Sequence, residues 1–148
     1  MKIDFTGKTA VVFGASRGIG KGIATVLASA GAKVYVSSRT ESNCKGLKEE
    51  LTAQGYQAEY CAAEVSDYEA VDRVLVKAIE ETGRLDIVIN NAGIVCLSSF
   101  LDATQDEIHD LINFNLMGAN NGCQAAIKHM IELVKTGSGT SHDLFIEL

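Results

Sequence analysis

Thr9-Ala10-Val11-Val12-Phe13-Gly14-Ala15-Ser16-Arg17-Gly18-Ile19-Gly20 begins as a short apolar run and ends with three glycines in seven residues. The run reads as a buried strand, and Ile19, Ile23, Val26, Leu27 and Ala30 then recur at helical spacing. A strand that passes into a helix through glycines suits an anion. Backbone N–H groups and the positive end of a helix dipole converge there, and side chains larger than hydrogen would block a closely approaching phosphate. Glycines also mark plain turns, so the flanking strand, periodic helix and second strand carry the reading.

Outward from this stretch, apolar runs alternate with helical patterns. Residues 9–13, 33–37, 57–62 and 85–89 are strand candidates, and Val71, Val74, Leu75, Ala78 and Ile79 mark a helix between the last two. The resulting order β-α-β-α-β-α-β implies crossover units on a parallel sheet, a doubly wound three-layer α/β/α architecture. Punctuation agrees with the periodicity. Ser66-Asp67-Tyr68-Glu69 and Thr104-Gln105-Asp106-Glu107 have the form of capping boxes. Gly31, Gly55, Gly83 and Gly137 each stand where a left-handed residue closes a helix, and there is no proline. Residues 104–135 read as a further helix, interrupted near Asn113–Asn115, with Ile108, Ile112, Leu116, Ala119, Cys123, Ala126 or Ile127, and Met130 on one face. Residues 1–140 form one expected domain. Residues 141–148 are a divergent tail in which residues 143–147, around Leu144-Phe145-Ile146, are expected to add a makeshift fifth strand beside residues 85–89, partly covering an edge that would invite aggregation.

Composition sets limits on function. The 148 residues are 47% hydrophobic and 22% charged, as in a globular domain with a real core. No apolar run is long enough for a bilayer and the first residues lack the order of a secretory signal, so the expected location is cytoplasmic. A formal charge of -6 without a basic block argues against nucleic acid and anionic membranes as partners. Cys44, Cys61, Cys96 and Cys123 form no Cys-x-x-Cys pair, and His109, His129 and His142 stand at no ligand spacing; packing thiols are expected, with no metal site.

The spacing Gly-x-x-x-Gly-Ile-Gly at Gly14, Gly18 and Gly20, with Asn90-Asn91-Ala92-Gly93 after the fourth strand, resembles the short-chain dehydrogenase/reductase family. Within the family the chain looks like enzymes of the 3-oxoacyl-carrier-protein reductase or tropinone reductase kind. The resemblance covers residues 4–139 and implies a Rossmann-like sheet, here stopping after four or five strands, and a nicotinamide dinucleotide held by Gly14, Ser16, Arg17, Gly18, Ile19 and Gly20. It further implies that Asn90, Asn91, Ala92 and Gly93 steady the sheet and border the cofactor ribose.

Which nicotinamide cofactor fits is decided after the second strand. NAD-binding folds usually place an acid there for the ribose hydroxyls, whereas a 2′-phosphate calls for cations. This strand ends in Ser38 and Arg39, and Arg17 supplies a second guanidinium, so NADP(H) is preferred over NAD(H). In the adenine pocket the family usually has Asp before an apolar residue; this chain has Glu64-Val65, one methylene longer. Phe13, before the first glycine, replaces a small or hydroxylated residue and is expected to tighten the core without touching ligand.

Carbonyl reduction by a nicotinamide needs hydride at carbon and a proton at oxygen. The resemblance implies a Tyr donor, a Lys four residues later that lowers its pKa, a Ser and an Asn. Asn115 matches the Asn position; its other reading is a polar residue that bends a helix. Tyr35, Tyr56, Tyr60 and Tyr68 are followed four residues later by Arg39, Tyr60, Glu64 and Asp72, so no Tyr-x-x-x-Lys exists. Free phenols titrate near pH ~10, and positioned acid catalysis contributes about 10²- to 10⁴-fold. Three readings follow. The first is an NADP(H)-binding, catalytically incomplete domain. The second is an active ketone or 3-oxoacyl reductase completed by a partner, and the third is a non-enzymatic interaction module presenting helix 115–135, also the expected surface for self-association. The first is preferred.

Overall fold

A computed structural model describes residues 3–137 and 144–147. Strands β1 (Thr9–Phe13) and β2 (Lys33–Ser37) match the expected spans, whereas β3 contracts to Ala58–Tyr60 and β4 lies at Ile87–Asn90. With β5 (Leu144–Glu147) they form one sheet in the order β3-β2-β1-β4-β5, and every pairing is parallel. The last pairing sets Leu144 opposite Ile87 and Glu147 opposite Asn90. Residues 138–143, which include His142, lie outside the described residues.

The central strands read as continuous apolar runs because both of their faces are covered, as parallel sheets require. Val11, Phe13, Tyr35 and Val88 point into one core with Val71, Val74, Leu75 and Ala78 of α3 (Tyr68–Thr82) and Ala125, Ala126 and Met130 of α5 (Gly118–Lys135). The alternate residues Ala10, Val12, Val34, Val36, Ile87 and Ile89 point into a second core. There they meet Ala24, Leu27 and Ala28 of α1 (Gly18–Ser29) and Leu47 and Leu51 of α2 (Glu41–Ala53). Three layers result, and Phe13 lies wholly inside the first core, 1% exposed.

Helix ends show where local chemistry governs. Thr104 and Glu107 form the expected capping box at the start of α4 (Gln105–Leu111). At α3 the cap is Asp67 rather than Ser66: its Oδ1 accepts from the Glu69 and Ala70 N–H groups at 3.0 and 3.3 Å. A carboxylate there also meets the positive end of the helix dipole, which a serine hydroxyl does not. Gly31, Gly55, Gly83 and Gly137 all have positive φ, between 74° and 98°.

Two expected apolar faces are displaced. On α1 the buried residues are Gly20, Ala24, Leu27 and Ala28, while Ile19 and Val26 are 72% and 64% exposed. Small residues let this helix approach the sheet closely, which turns the larger ones outward. Between α4 and α5 the chain takes a π-helical path over Ile112–Met117. The wider turn shifts the phase of the residues that follow it relative to those before it. Consequently Ile112, Leu116 and Ile127 are exposed, and α5 packs through Gly118, Asn121, Gly122, Ala125, Ala126 and Met130.

Candidate functional site

β1 lies between β2 and β4, so the chain moves outward through β2 and β3 and returns to the other side of β1. At such a switch point the loops beyond the strand carboxyl ends diverge and leave a crevice. Here it is a cleft of about 300 Å³, lined by Gly14, Ser16, Arg17, Gly18 and Ile19 after β1, Ser38 and Arg39 after β2, Glu64 and Val65 after β3, and Asn91, Ala92 and Gly93 after β4.

Glycine is required at Gly14, which lines the cleft, and at Gly20 beneath it. Gly14 has φ 71°, and a Cβ on it would lie 2.6 Å from the Ala92 Cα. A Cβ on Gly20 would lie 2.3 Å from the Gly14 carbonyl oxygen and 2.5 Å from Asn91 Nδ2. Asn91 Nδ2 donates to that same carbonyl at 3.1 Å, so the loop after β1 is tied to the segment after β4. The loop then delivers α1, whose N-cap Arg17 is extended and makes no side-chain cap; no acid stands in the first turn. The first N–H groups of α1 thus have no side-chain acceptor, the condition under which a helix start receives a phosphate.

Most expected residues therefore meet in one cleft, but Gly20, Asn90 and Asn115 do not line it. Gly20 is buried beneath the loop as a spacer. Asn90 is 6% exposed and turned into α5, where its Nδ2 donates to the Ala119 carbonyl at 3.4 Å. A Cβ on Gly122 would lie 2.0 Å from its Oδ1, so the helix fits onto this amide only through glycine. Asn90 is thus a fastening between sheet and helix. Asn115, within the π-helical segment, clasps the strand-end loop: its Oδ1 accepts from the Ile94 N–H at 2.8 Å and its Nδ2 donates to the Ile94 carbonyl at 2.9 Å.

Ala63, Ile94 and Phe114 line the cleft without having been expected there. Ala63 and Ile94 adjoin the motif residues Glu64 and Gly93, a signal that was present. Phe114 is placed only by the π-helical turn, which no periodicity discloses. Its ring lies 5.2 Å from the Arg39 guanidinium carbon, and Arg39 Nε is 4.0 Å from Glu64 Oε2. The other carboxylate oxygen, Oε1, is buried without a hydrogen-bond partner. Ser38 is held by Cys44, whose Sγ lies 3.0 Å from both its N–H and its hydroxyl.

No tyrosine lines the cleft. Tyr35 is fully buried and donates to Glu81 Oε2 at 2.7 Å; burial first, then the Glu81 carboxylate, push its phenol above the ordinary range. Tyr68 does meet a lysine, Lys128 Nζ, at 3.2 Å, but on the exposed faces of α3 and α5. The cysteines are free thiols, and among the described residues no cluster of His, Cys, Asp and Glu could hold a metal. Among them too, no helix is long and apolar enough to cross a membrane.

A parallel sheet with a glycine-gated crevice at its switch point defines a Rossmann-type nucleotide-binding domain. A family model described as short chain dehydrogenase matches residues 8–143, and the chain belongs to that family of oxidoreductases. It is similar to oxidoreductase UcpA of Salmonella typhimurium, 38% identical over 127 residues that make up 86% of this chain and 48% of the relative. Diacetyl reductase [(S)-acetoin forming] of Staphylococcus epidermidis is 33% identical over 130 residues, 88% of this chain and 51% of its own. A crystal structure of a short chain dehydrogenase from Burkholderia cenocepacia in complex with NADP superposes with a TM-score of 0.78 at 35% identity, over 84% of this chain and 51% of that one. The chain thus spans about half the length of the relatives it matches. Family members bind nicotinamide cofactors. The cleft fits such a group: α1 offers N–H groups without a side-chain cap, and the floor at Gly14 and Gly20 has no room for a Cβ.

Proposed function

We propose that the chain is an NADP(H)-binding domain of the short chain dehydrogenase family, from a lineage that moves hydride between a carbonyl and an alcohol, and that it is catalytically incomplete as it stands. The observation that carries the cofactor choice is the pair Arg17 and Arg39 lining one cleft, with Ser38 rather than a carboxylate at the end of β2. Diphosphate would lie on the N–H groups of Gly18 and Ile19 at the start of α1. The 2′-phosphate would receive forked hydrogen bonds from the guanidinium groups, and Asn91, Ala92 and Gly93 would border the second ribose. The bound dinucleotide supplies hydride chemistry; this chain's residues bind and orient it. Asn115, at the position of the family's catalytic Asn, holds the loop at Ile94 through its side chain. The proton that a reduced carbonyl needs has no donor of the Tyr-x-x-x-Lys kind in these 148 residues.

Fluorescence of NADPH titrated with the protein tests this reading. Arg39→Gln is expected to weaken NADPH about five- to twentyfold while leaving NADH within about twofold, since a charge-assisted contact to an exposed phosphate is lost. Added ketone should produce no loss of absorbance at the nicotinamide band. Equal losses for both nucleotides in Arg39→Gln refute the cofactor assignment, and ketone-dependent oxidation refutes the incompleteness.

A second reading, self-association through α5, has its own observation. Ile127, Ile131 and Val134 stand exposed at i, i+4 and i+7 as one outward apolar stripe. Sedimentation of the wild type beside Ile131→Lys separates a pair of chains from a monomer.

A further inference from the structure

Glu64 sits beside a cation that the proposed function assigns to phosphate recognition. The family resemblance gives this carboxylate an adenine role, yet the extra methylene carries Oε2 to within 4.0 Å of Arg39 Nε. Arg39 is 59% and Glu64 36% exposed at the side chain, so the pair is only partly screened by water. The guanidinium is held from a second direction by the Phe114 ring. Arg17, on the same cleft, has no ion-pair partner among the described residues. The two guanidinium groups are therefore unequal: one faces the cleft without an ion-pair partner among the described residues, and the other has a carboxylate beside it.

We infer that Glu64 is a specificity-determining residue that restrains the preference for NADP(H) over NAD(H) by neutralising Arg39, an inference that rests on the proposed cofactor site. The two nucleotides differ only at the 2′ position. Whatever Glu64 accepts from an adenine amino group is common to both and cancels in the ratio of their affinities. Its effect on Arg39 does not cancel. A phosphate must compete with the carboxylate for the guanidinium and lies close to a second negative charge, whereas a ribose hydroxyl meets neither cost. Phe114 keeps the guanidinium in place when the carboxylate is removed, so the cation remains available.

The test measures dissociation constants for NADPH and NADH by fluorescence or calorimetry in the wild type, Glu64→Gln, Arg39→Gln and the double variant. Glu64→Gln should raise the NADPH-over-NADH preference roughly two- to fivefold, the range for a largely exposed charge pair. In the Arg39→Gln background the same replacement should raise it by a clearly smaller factor, because the carboxylate acts mainly through that guanidinium. Glu64→Asp, which draws the carboxylate back while keeping its charge, should raise the preference in the same direction by less and guards against a fold defect in the amide variant. An unchanged or lowered ratio in both Glu64 variants overturns the inference, as does an equal increment with and without Arg39. If the wild type binds neither nucleotide, the proposed function falls and this inference with it; if it binds both and the ratio does not respond to Glu64, only the inference falls.

Discussion

Gly20→Ala isolates the contact on which the cleft floor depends. The new Cβ would lie 2.3 Å from the Gly14 carbonyl oxygen and 2.5 Å from Asn91 Nδ2, two atoms that are themselves hydrogen-bonded at 3.1 Å. The Gly14 carbonyl does not give easily, because a residue at Gly14 is tight against the Ala92 backbone, and the Asn91 amide can move aside only by giving up its hydrogen bond to that carbonyl. Overpacking of this kind costs about 1–3 kcal/mol and the broken hydrogen bond about 1 kcal/mol more, while the helix propensity of alanine returns at most about 1 kcal/mol. A net loss of about 2 kcal/mol should lower the melting temperature by roughly 6 °C for a domain of this size. NADPH binding should weaken at least tenfold, since the loop that presents the α1 N–H groups is displaced. Gly22→Ala is the control: a Cβ there meets nothing within 4 Å, so helix propensity alone should raise the melting temperature by a few degrees. The assay is thermal melting by circular dichroism beside a fluorescence titration. A Gly20→Ala protein that melts and binds like the wild type refutes the reasoning.

Asp86 should govern acid stability. Burial raises its pKa, but hydrogen bonds from Arg84, the Thr9 N–H at 2.8 Å and Lys8 at 3.0 Å outweigh that and hold the carboxyl below its usual value. A depressed folded pKa gives stability that is complete above the unfolded value near ~3.9 and is lost as pH falls through the folded one. Asp86→Asn should therefore cost about 3 kcal/mol at pH 7 and flatten the fall in stability below about pH 4, followed by urea melts across pH. Asn115→Ala should remove both bonds to Ile94, cost about 1–2 kcal/mol and speed proteolysis within residues 94–101, whereas Asn115→Asp keeps the acceptor and should fall between. Unchanged cleavage in Asn115→Ala would show that the clasp does not hold the loop.

Legibility in the sequence followed the physics of each feature. β1 and β2 were readable to the residue because they are buried on both faces, and the left-handed glycines because only they tolerate positive φ. Backbone chemistry in the Gly14–Gly20 stretch and the Asn91–Gly93 segment is tied to motif spacing, so the cleft was legible as a place. What was not legible depends on packing in three dimensions. The approach of α1 through Gly20, Ala24 and Ala28 turned Ile19 and Val26 outward, and the π-helical turn rephased α5 and moved Phe114 into the cleft. Asn90 reads like its neighbour Asn91, yet the strand's alternation sends one amide into α5 and the other towards the Gly14 loop. The pairing of Arg39 with Glu64 spans two loops and follows from no local pattern.

The most direct test of the central claim is a calorimetric titration of the folded protein with NADPH and, in parallel, with NADH. Saturable binding near one nucleotide per chain, tighter for NADPH, is the expected result. Absence of binding by either nucleotide to protein with an intact circular dichroism spectrum would contradict the account.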